Sequence, residues 1–142
     1  MSTSTMLKEY NSNISPKLKE IDIYLKTEEQ PFNIDNTASI LDISKDELLH
    51  IMYVYDITSI NISDFFTIMI KGSSKICRLF SRKLNCGLKT EYSPENISYI
   101  YDIDISEVYR ACKKLNCYSF DDRTIKNILG EISIQSESWY FL

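Results

Sequence analysis

Apolar residues recur at three- and four-residue spacing along most of the chain, and the polar positions between them carry the start and stop signals of short helices. From Ser15, SPKLKEIDIYLK puts Leu18, Ile21 and Leu25 on one face, with Pro16 in its first turn. Asp35 opens a segment running through Leu41, Asp46 and Glu47 start one with Leu48, Ile51 and Met52 inward, and Ser63 starts one with Phe65, Phe66 and Met69 that ends at Gly72. SKICRLFSRKLN from Ser74 carries Ile76, Leu79, Phe80 and Leu84. Further on, Ser93 stands as an N-cap before Pro94, the two residue types favoured at those positions. Ser106 is expected to cap a helix with Val108, Ala111, Cys112 and Leu115 inward, and Asp121 with Asp122 to open one carrying Ile125, Ile128 and Leu129. Gly130 sits where a C-cap glycine would, and Ile132 and Ile134 alternate as in a short extended segment.

The pattern repeats. A shift of 60 places lays the sequence from Phe32 over that from Tyr92 without a gap, pairing Asn36 with Asn96, Ile40 with Ile100, Asp42 with Asp102, Ile43 with Ile103, Glu47 with Glu107, Ser59 with Ser119 and Ile68 with Ile128. Like-for-like pairs such as Phe32 and Tyr92, or Leu48 and Val108, fill the positions between. With the helical segment ahead of each copy, the repeating unit has four helices. Composition agrees: three Gly and three Pro, where average usage would give about seventeen together, leave few residues for the turns of a sandwich, a barrel or a glycine-rich nucleotide fold. The expected fold is all-α, two tandem four-helix units: 1–71, 72–135, and a C-terminal tail 136–142 ending Trp139, Tyr140, Phe141, Leu142.

Within each copy one stretch, SPENISYIYDIDISEVYRACKKLN in the second and IDNTASILDISKDELLHIMY in the first, carries a recognisable pattern. A small residue, Ser98 or Ala38, stands mid-way along the first helix, where two helices cross closely. Apolar residues stand where they meet: Ile97, Tyr101, Ile103, Val108 and Ala111, or Leu41, Ile43, Leu48 and Ile51. Both stretches resemble the helix-turn-helix of phage-repressor-type regulators. That family usually has Gly at the turn; Asp102 and Asp42 replace it here, and Asp enters left-handed backbone more readily than most residues. The resemblance implies that the second helix of each motif is a recognition helix suited to a major groove. Its outward positions would be Asp104, Ile105, Ser106, Tyr109, Arg110 and Lys113 in the second copy, and Ser44, Lys45, Asp46, Leu49, His50 and Tyr53 in the first.

Charge separates the copies. Residues 1–70 carry five basic and eleven acidic side chains, whereas 71–142 carry eleven basic and nine acidic ones. Because phosphate contacts supply much of the affinity for DNA, the second copy is the expected DNA reader. Lys75, Arg78, Arg82, Lys83, Lys89 and Lys114 would hold phosphates, and Ser106, Tyr109, Arg110 and Lys113 would face base edges, Arg110 as a bidentate partner of guanine. The first copy, with Asp46, Leu49 and Tyr53 on its recognition helix, reads as a protein-contact surface. The tail residues Trp139, Tyr140, Phe141 and Leu142 would either pack on the chain's own core or enter a partner, another copy included. The expected function is therefore a small DNA-binding transcriptional regulator. The alternative is a protein-interaction adaptor, or an inhibitor of a regulator, that does not bind DNA; the overall charge of −4 and pI near 5.0 lean that way.

Other chemistry finds little support. His50 is the only histidine, Gly72, Gly87 and Gly130 are isolated, and paired acids such as Asp46–Glu47 and Asp121–Asp122 sit at helix starts, where carboxylates complement the helix dipole. No enzymatic activity, cofactor or metal is expected. The cysteines Cys77, Cys86, Cys112 and Cys117, separated by eight and four residues within each pair, lack the spacing of zinc ligands and are expected as reduced thiols. No export signal or membrane-length apolar run is evident, so a cytoplasmic protein is expected.

Overall fold

The computed structural model describes residues 3–87 and 90–135, and these are mostly helical. In chain order they form β1 (Thr3–Thr5), α1 (Met6–Glu9), a π-helical turn (Tyr10–Ile14), α2 (Ser15–Thr27), α3 (Ile34–Ile40) and α4 (Lys45–Val54). α5 (Ile62–Lys71), α6 (Lys75–Asn85), α7 (Pro94–Tyr101), α8 (Ile105–Leu115), α9 (Ile125–Leu129) and β2 (Ser133–Gln135) follow. The starts are fixed by local hydrogen bonding. The side chains of Asn33, Ser44, Asn61 and Ser93 each accept the backbone N–H three residues on, and Asn61 and Ser93 form reciprocal capping boxes with Asp64 and Asn96. Ser106 is not the cap of its helix: Asp104 takes that role, accepting from the Ser106 N–H at 2.9 Å and the Ser106 hydroxyl at 2.7 Å. Asp121 and Asp122 likewise do not begin α9. Asp121 organises the turn before it, its carboxylate accepting from the N–H groups of Arg123 and Thr124, and the helix starts at Ile125.

The chain divides into two compact units, Pro16–Ser81 and the pair of segments Met1–Ser15 with Arg82–Leu142. This division does not fall at 71/72. It assigns the first two turns of α6 to the Pro16–Ser81 unit and the N-terminal segment to the other.

In the Pro16–Ser81 unit, Ile21, Tyr24, Phe32, Leu41, Leu48, Ile51, Phe65, Ile68, Met69, Ile76 and Cys77 form one core. Tyr24, Phe32 and Phe65 meet with ring centroids 5.5–5.9 Å apart. The buried Tyr24 hydroxyl shares a 3.1 Å hydrogen bond with Thr37 Oγ1, which satisfies two groups that would otherwise be orphaned. In the other unit Met6, Ile14, Ile97, Ile100, Val108, Ala111, Cys112, Phe120, Ile125, Ile128, Leu129 and Ile132 are buried. β1 pairs antiparallel with β2, and the Met6 N–H donates to the Ile132 carbonyl at 2.8 Å. Each side chain of Leu48 or Ile97 size, fully buried, contributes roughly 1.5–3 kcal/mol.

The 60-residue period of the sequence extends to the backbone. Asp42 and Asp102 are both left-handed, with φ of 57° and 54°, and so are Asp56 and Asn116, at 57° and 51°. Phe32 donates its N–H to Ile60 at 2.8 Å, and Tyr92 donates to Phe120 at 2.7 Å. The glycines expected at helix ends do not use glycine's freedom: Gly72 has φ −68° and Gly130 φ −70°. Gly72 is required by contact instead, since a Cβ there would lie 2.6 Å from Cys77 Sγ.

Candidate nucleic-acid interface

The candidate surface is the outward face of α8. α7 ends at Asp102, whose left-handed backbone turns the chain sharply. The Ile103 N–H then donates to the Ser98 carbonyl at 3.0 Å while the Ser98 hydroxyl donates to the Ile103 carbonyl at 2.6 Å. The first is a backbone bond and the second needs the serine hydroxyl, and together they fix how α8 leaves α7. α8 then buries Val108, Ala111 and Cys112 completely, which by helical geometry directs Ser106, Tyr109, Arg110 and Lys113 away from the core. The first copy repeats the plan: the Ile43 N–H donates to the Ala38 carbonyl at 3.1 Å, and α4 buries Leu48, Ile51 and Met52.

The expected base-facing residues thus lie together on one helix, and most are already engaged. Ser106 is bonded to Asp104. The Tyr109 hydroxyl donates to a Glu95 carboxylate oxygen. Arg110 donates from Nε to Glu107 at 2.8 Å and from Nη2 to the Glu131 carbonyl at 2.8 Å. Lys114 pairs with the Glu131 carboxylate at 2.9 Å. Lys113 is exposed and has no ion-pair partner among the described residues. Hydrogen bonds from the Ser106 hydroxyl and N–H hold the Asp104 carboxyl below its ordinary pKa, so a fixed negative charge sits at the start of α8.

The expected phosphate contacts are not gathered in one unit. Lys75 and Arg78 belong to the Pro16–Ser81 unit, and Arg82, Lys83 and Lys114 to the other. Lys89 lies outside the described residues, as do Trp139, Tyr140, Phe141 and Leu142 of the tail. Arg82 donates from Nε to the Ile100 carbonyl at 2.9 Å, bracing the end of α7, and the Lys83 ammonium lies 5.9 Å from the centre of the Tyr92 ring. Arg78 is exposed. Counted by these units, the charge asymmetry is smaller than between chain halves. Pro16–Ser81 holds seven basic and ten acidic residues, net −3, and the remainder nine and ten, net −1.

α4 presents a different surface. Asp46 is exposed without an ion-pair partner among the described residues, and Leu49, Tyr53 and Val54 follow on the same side, Tyr53 being 85% exposed. Glu47 points elsewhere and accepts from the Ser73 N–H and hydroxyl at 2.7 and 2.6 Å. Glu95 and Glu131 are the participants that sequence reasoning missed. They reach α8 from 14 residues before Tyr109 and 21 after Arg110, and no local spacing signals such partners.

Neither a family model, nor a curated protein sequence, nor a solved structure matches the chain. Among the described residues no group of three or more His, Cys, Asp or Glu could hold a metal ion, and no helix is long and apolar enough to cross a membrane.

Proposed function

We propose that the protein is a small DNA-binding transcriptional regulator whose sequence repeats a tandem four-helix plan, α2–α5 and α6–α9, each repeat containing a helix-turn-helix of the phage-repressor type. In the second motif α8 enters the major groove, with Ser106, Tyr109, Arg110 and Lys113 toward base edges and Lys114 toward phosphate. The first unit serves protein contact through Asp46, Leu49 and Tyr53. The observation that carries this reading is the α7–α8 junction: left-handed Asp102 and the Ile103-to-Ser98 hydrogen bond support a second helix buried on one face and displaying Tyr109, Arg110 and Lys113 on the other.

The carboxylates around α8 do not block this role. Arg110 and Lys114 keep half or more of their side-chain surface exposed, and exposed ion pairs are worth only about 0.2–1 kcal/mol. A bidentate arginine–guanine contact discriminates by roughly 1–3 kcal/mol, of the same order as the exposed Glu107 and Glu131 contacts that Arg110 would exchange for it. In the free protein Glu107 and the Glu131 carbonyl hold Arg110.

The adaptor reading rests on a separate observation, the exposed Asp46, Leu49, Tyr53, Val54 surface of α4, which is unsuited to phosphate. Titration of labelled genomic duplex fragments with wild type, Arg110→Ala and Leu49→Ala/Tyr53→Ala separates the two. DNA regulation predicts salt-sensitive binding that loses sequence preference in Arg110→Ala and is unchanged in the α4 variant. Absence of binding at low salt transfers the function to the α4 surface.

A further inference from the structure

We infer that Cys112 and Cys117 are a redox modification site, joined as an intrahelical-cap disulfide when the protein meets a peroxide. α8 ends with left-handed Asn116, whose N–H donates to the Lys113 carbonyl, and the Cys117 N–H reaches back to the Cys112 carbonyl at 3.1 Å. In this type of helix ending a contact between the residues bearing the longer bond is frequent. Here both are cysteines. With standard bond lengths that hydrogen bond keeps their Cα atoms within roughly 7 Å, next to the span of about 4.4–6.8 Å that disulfides bridge. In the reduced protein the Cys117 thiol instead donates to the Ser119 carbonyl at 3.2 Å, so the bridge closes by rotation about the Cys117 Cα–Cβ bond.

Two further observations point the same way. The equivalent place in the first unit, with left-handed Asp56 and the Ile57 N–H on the Met52 carbonyl at 2.8 Å, repeats the backbone ending and holds an apolar pair, Met52 in that unit's core and Ile57 packed against it. Access is also provided: Cys117 is half-buried and lines a cavity of about 300 Å³ with Leu115, Phe120, Thr124, Asn127 and Glu131. Cys112 lies fully buried beneath, its thiol pushed up in pKa by burial and by the neighbouring Cys117. Cys117 is therefore the sulfur that an oxidant meets first.

The chemistry balances with a hydroperoxide as the named oxidant. The Cys117 thiol gives up its proton and its sulfur attacks the terminal peroxide oxygen; the O–O bond breaks, leaving a sulfenic acid, and the departing alkoxide, or hydroxide from hydrogen peroxide, takes that proton as an alcohol or water. Cys112 loses its proton and attacks the Cys117 sulfur, the S–O bond breaks as the disulfide forms, and the hydroxide leaves with that proton as water. Two thiols are oxidised and one peroxide is reduced. Lys113 and Lys114 lie inside the closed loop, and the inference stands whether or not α8 binds DNA.

The test treats full-length protein with hydrogen peroxide, natively and in 8 M urea, and digests it with trypsin without reductant. The site predicts peptide Ala111–Lys113 disulfide-linked to Leu115–Arg123, formed at least tenfold faster in the folded protein and released by reductant. It also predicts that Cys112→Ala stops at a Cys117 sulfenic acid trapped by dimedone. Linked peptides that are missing, that form as fast in urea, or that are replaced by oxidation at Cys86 alone would overturn it. The wild-type digest decides the matter even if the variant does not fold.

Discussion

Gly72→Ala tests the packing at the start of α6 most sharply, because one added methyl group meets one identified atom. The new Cβ would lie 2.6 Å from Cys77 Sγ, 3.1 Å from Cys77 Cβ and 3.4 Å from Ile43 Cγ2. Carbon–heavy-atom contacts are most favourable at roughly 3.5–4.0 Å, so the sulfur must retreat by about 1 Å. It has little room. Cys77 is fully buried, its N–H bonds Ser74 Oγ at 3.2 Å and its thiol faces the Leu41 carbonyl at 3.7 Å. Overpacking of this kind costs about 1–3 kcal/mol. Gly72 has φ −68° and ψ 154°, open to any residue, so alanine returns about 0.4–1 kcal/mol by restricting the unfolded chain. The net expectation is a loss of about 1–2 kcal/mol, read as a fall of roughly 0.5–1 M in the urea midpoint by far-UV circular dichroism. Cys77→Ala removes the sulfur and leaves the 3.1 Å contact to the Cβ of residue 77 and the 3.4 Å contact to Ile43 Cγ2, so the double variant should be less destabilised than the sum of the single ones by about 1 kcal/mol. A Gly72→Ala variant as stable as wild type, or strictly additive costs, would refute this account of the glycine.

Three other outcomes follow from particular contacts. Thr37→Val should cost about 1–3 kcal/mol in chemical denaturation by stranding the buried Tyr24 hydroxyl, and adding Tyr24→Phe should recover part of that loss. Asp102→Val should destabilise by roughly 1–2 kcal/mol, because a β-branched residue resists left-handed backbone, whereas Asp102→Gly should stay within about 0.5 kcal/mol of wild type; thermal melts distinguish them. Hydrogen bonds from Thr124 and Arg123 hold the folded pKa of Asp121 below its ordinary 3.8. Its contribution is therefore present above that value and lost as pH falls through the lower, folded one. Asp121→Asn should remove this acid-side portion of the stability profile, and unchanged melting between wild type and variant near neutral pH would count against the turn assignment.

Much of the architecture was legible because it is written in local signals. Pro94 after Ser93, the paired inward residues of α4 and α8, and Asp at both turns all act within a few residues of themselves, and the 60-residue period carries them twice. Helix starts shifted where several capping residues compete: Asp104 displaced Ser106 because its carboxylate accepts from both the hydroxyl and the N–H of that serine. The N-terminal segment was illegible. Met6 and Ile14 are buried, yet the residues between them show no helical stripe, and the β1–β2 pairing depends on partners some 130 residues away. The same limit hid Glu131, whose backbone carbonyl holds Arg110: a carbonyl acceptor is present at every residue, so only the fold selects which one is used.

The central claim is that α8 reads DNA, and fluorescence anisotropy with mixed genomic duplex fragments at about 50 and 200 mM salt tests it most directly. Each phosphate contact released should contribute close to −0.9 to the slope of log affinity against log salt. The account predicts tight binding at the lower salt that weakens steeply at the higher. It further predicts a slope reduced by about one in Lys114→Ala, and lost sequence preference with an unchanged slope in Arg110→Ala. No binding at the lower salt, or binding indifferent to both substitutions, would contradict it.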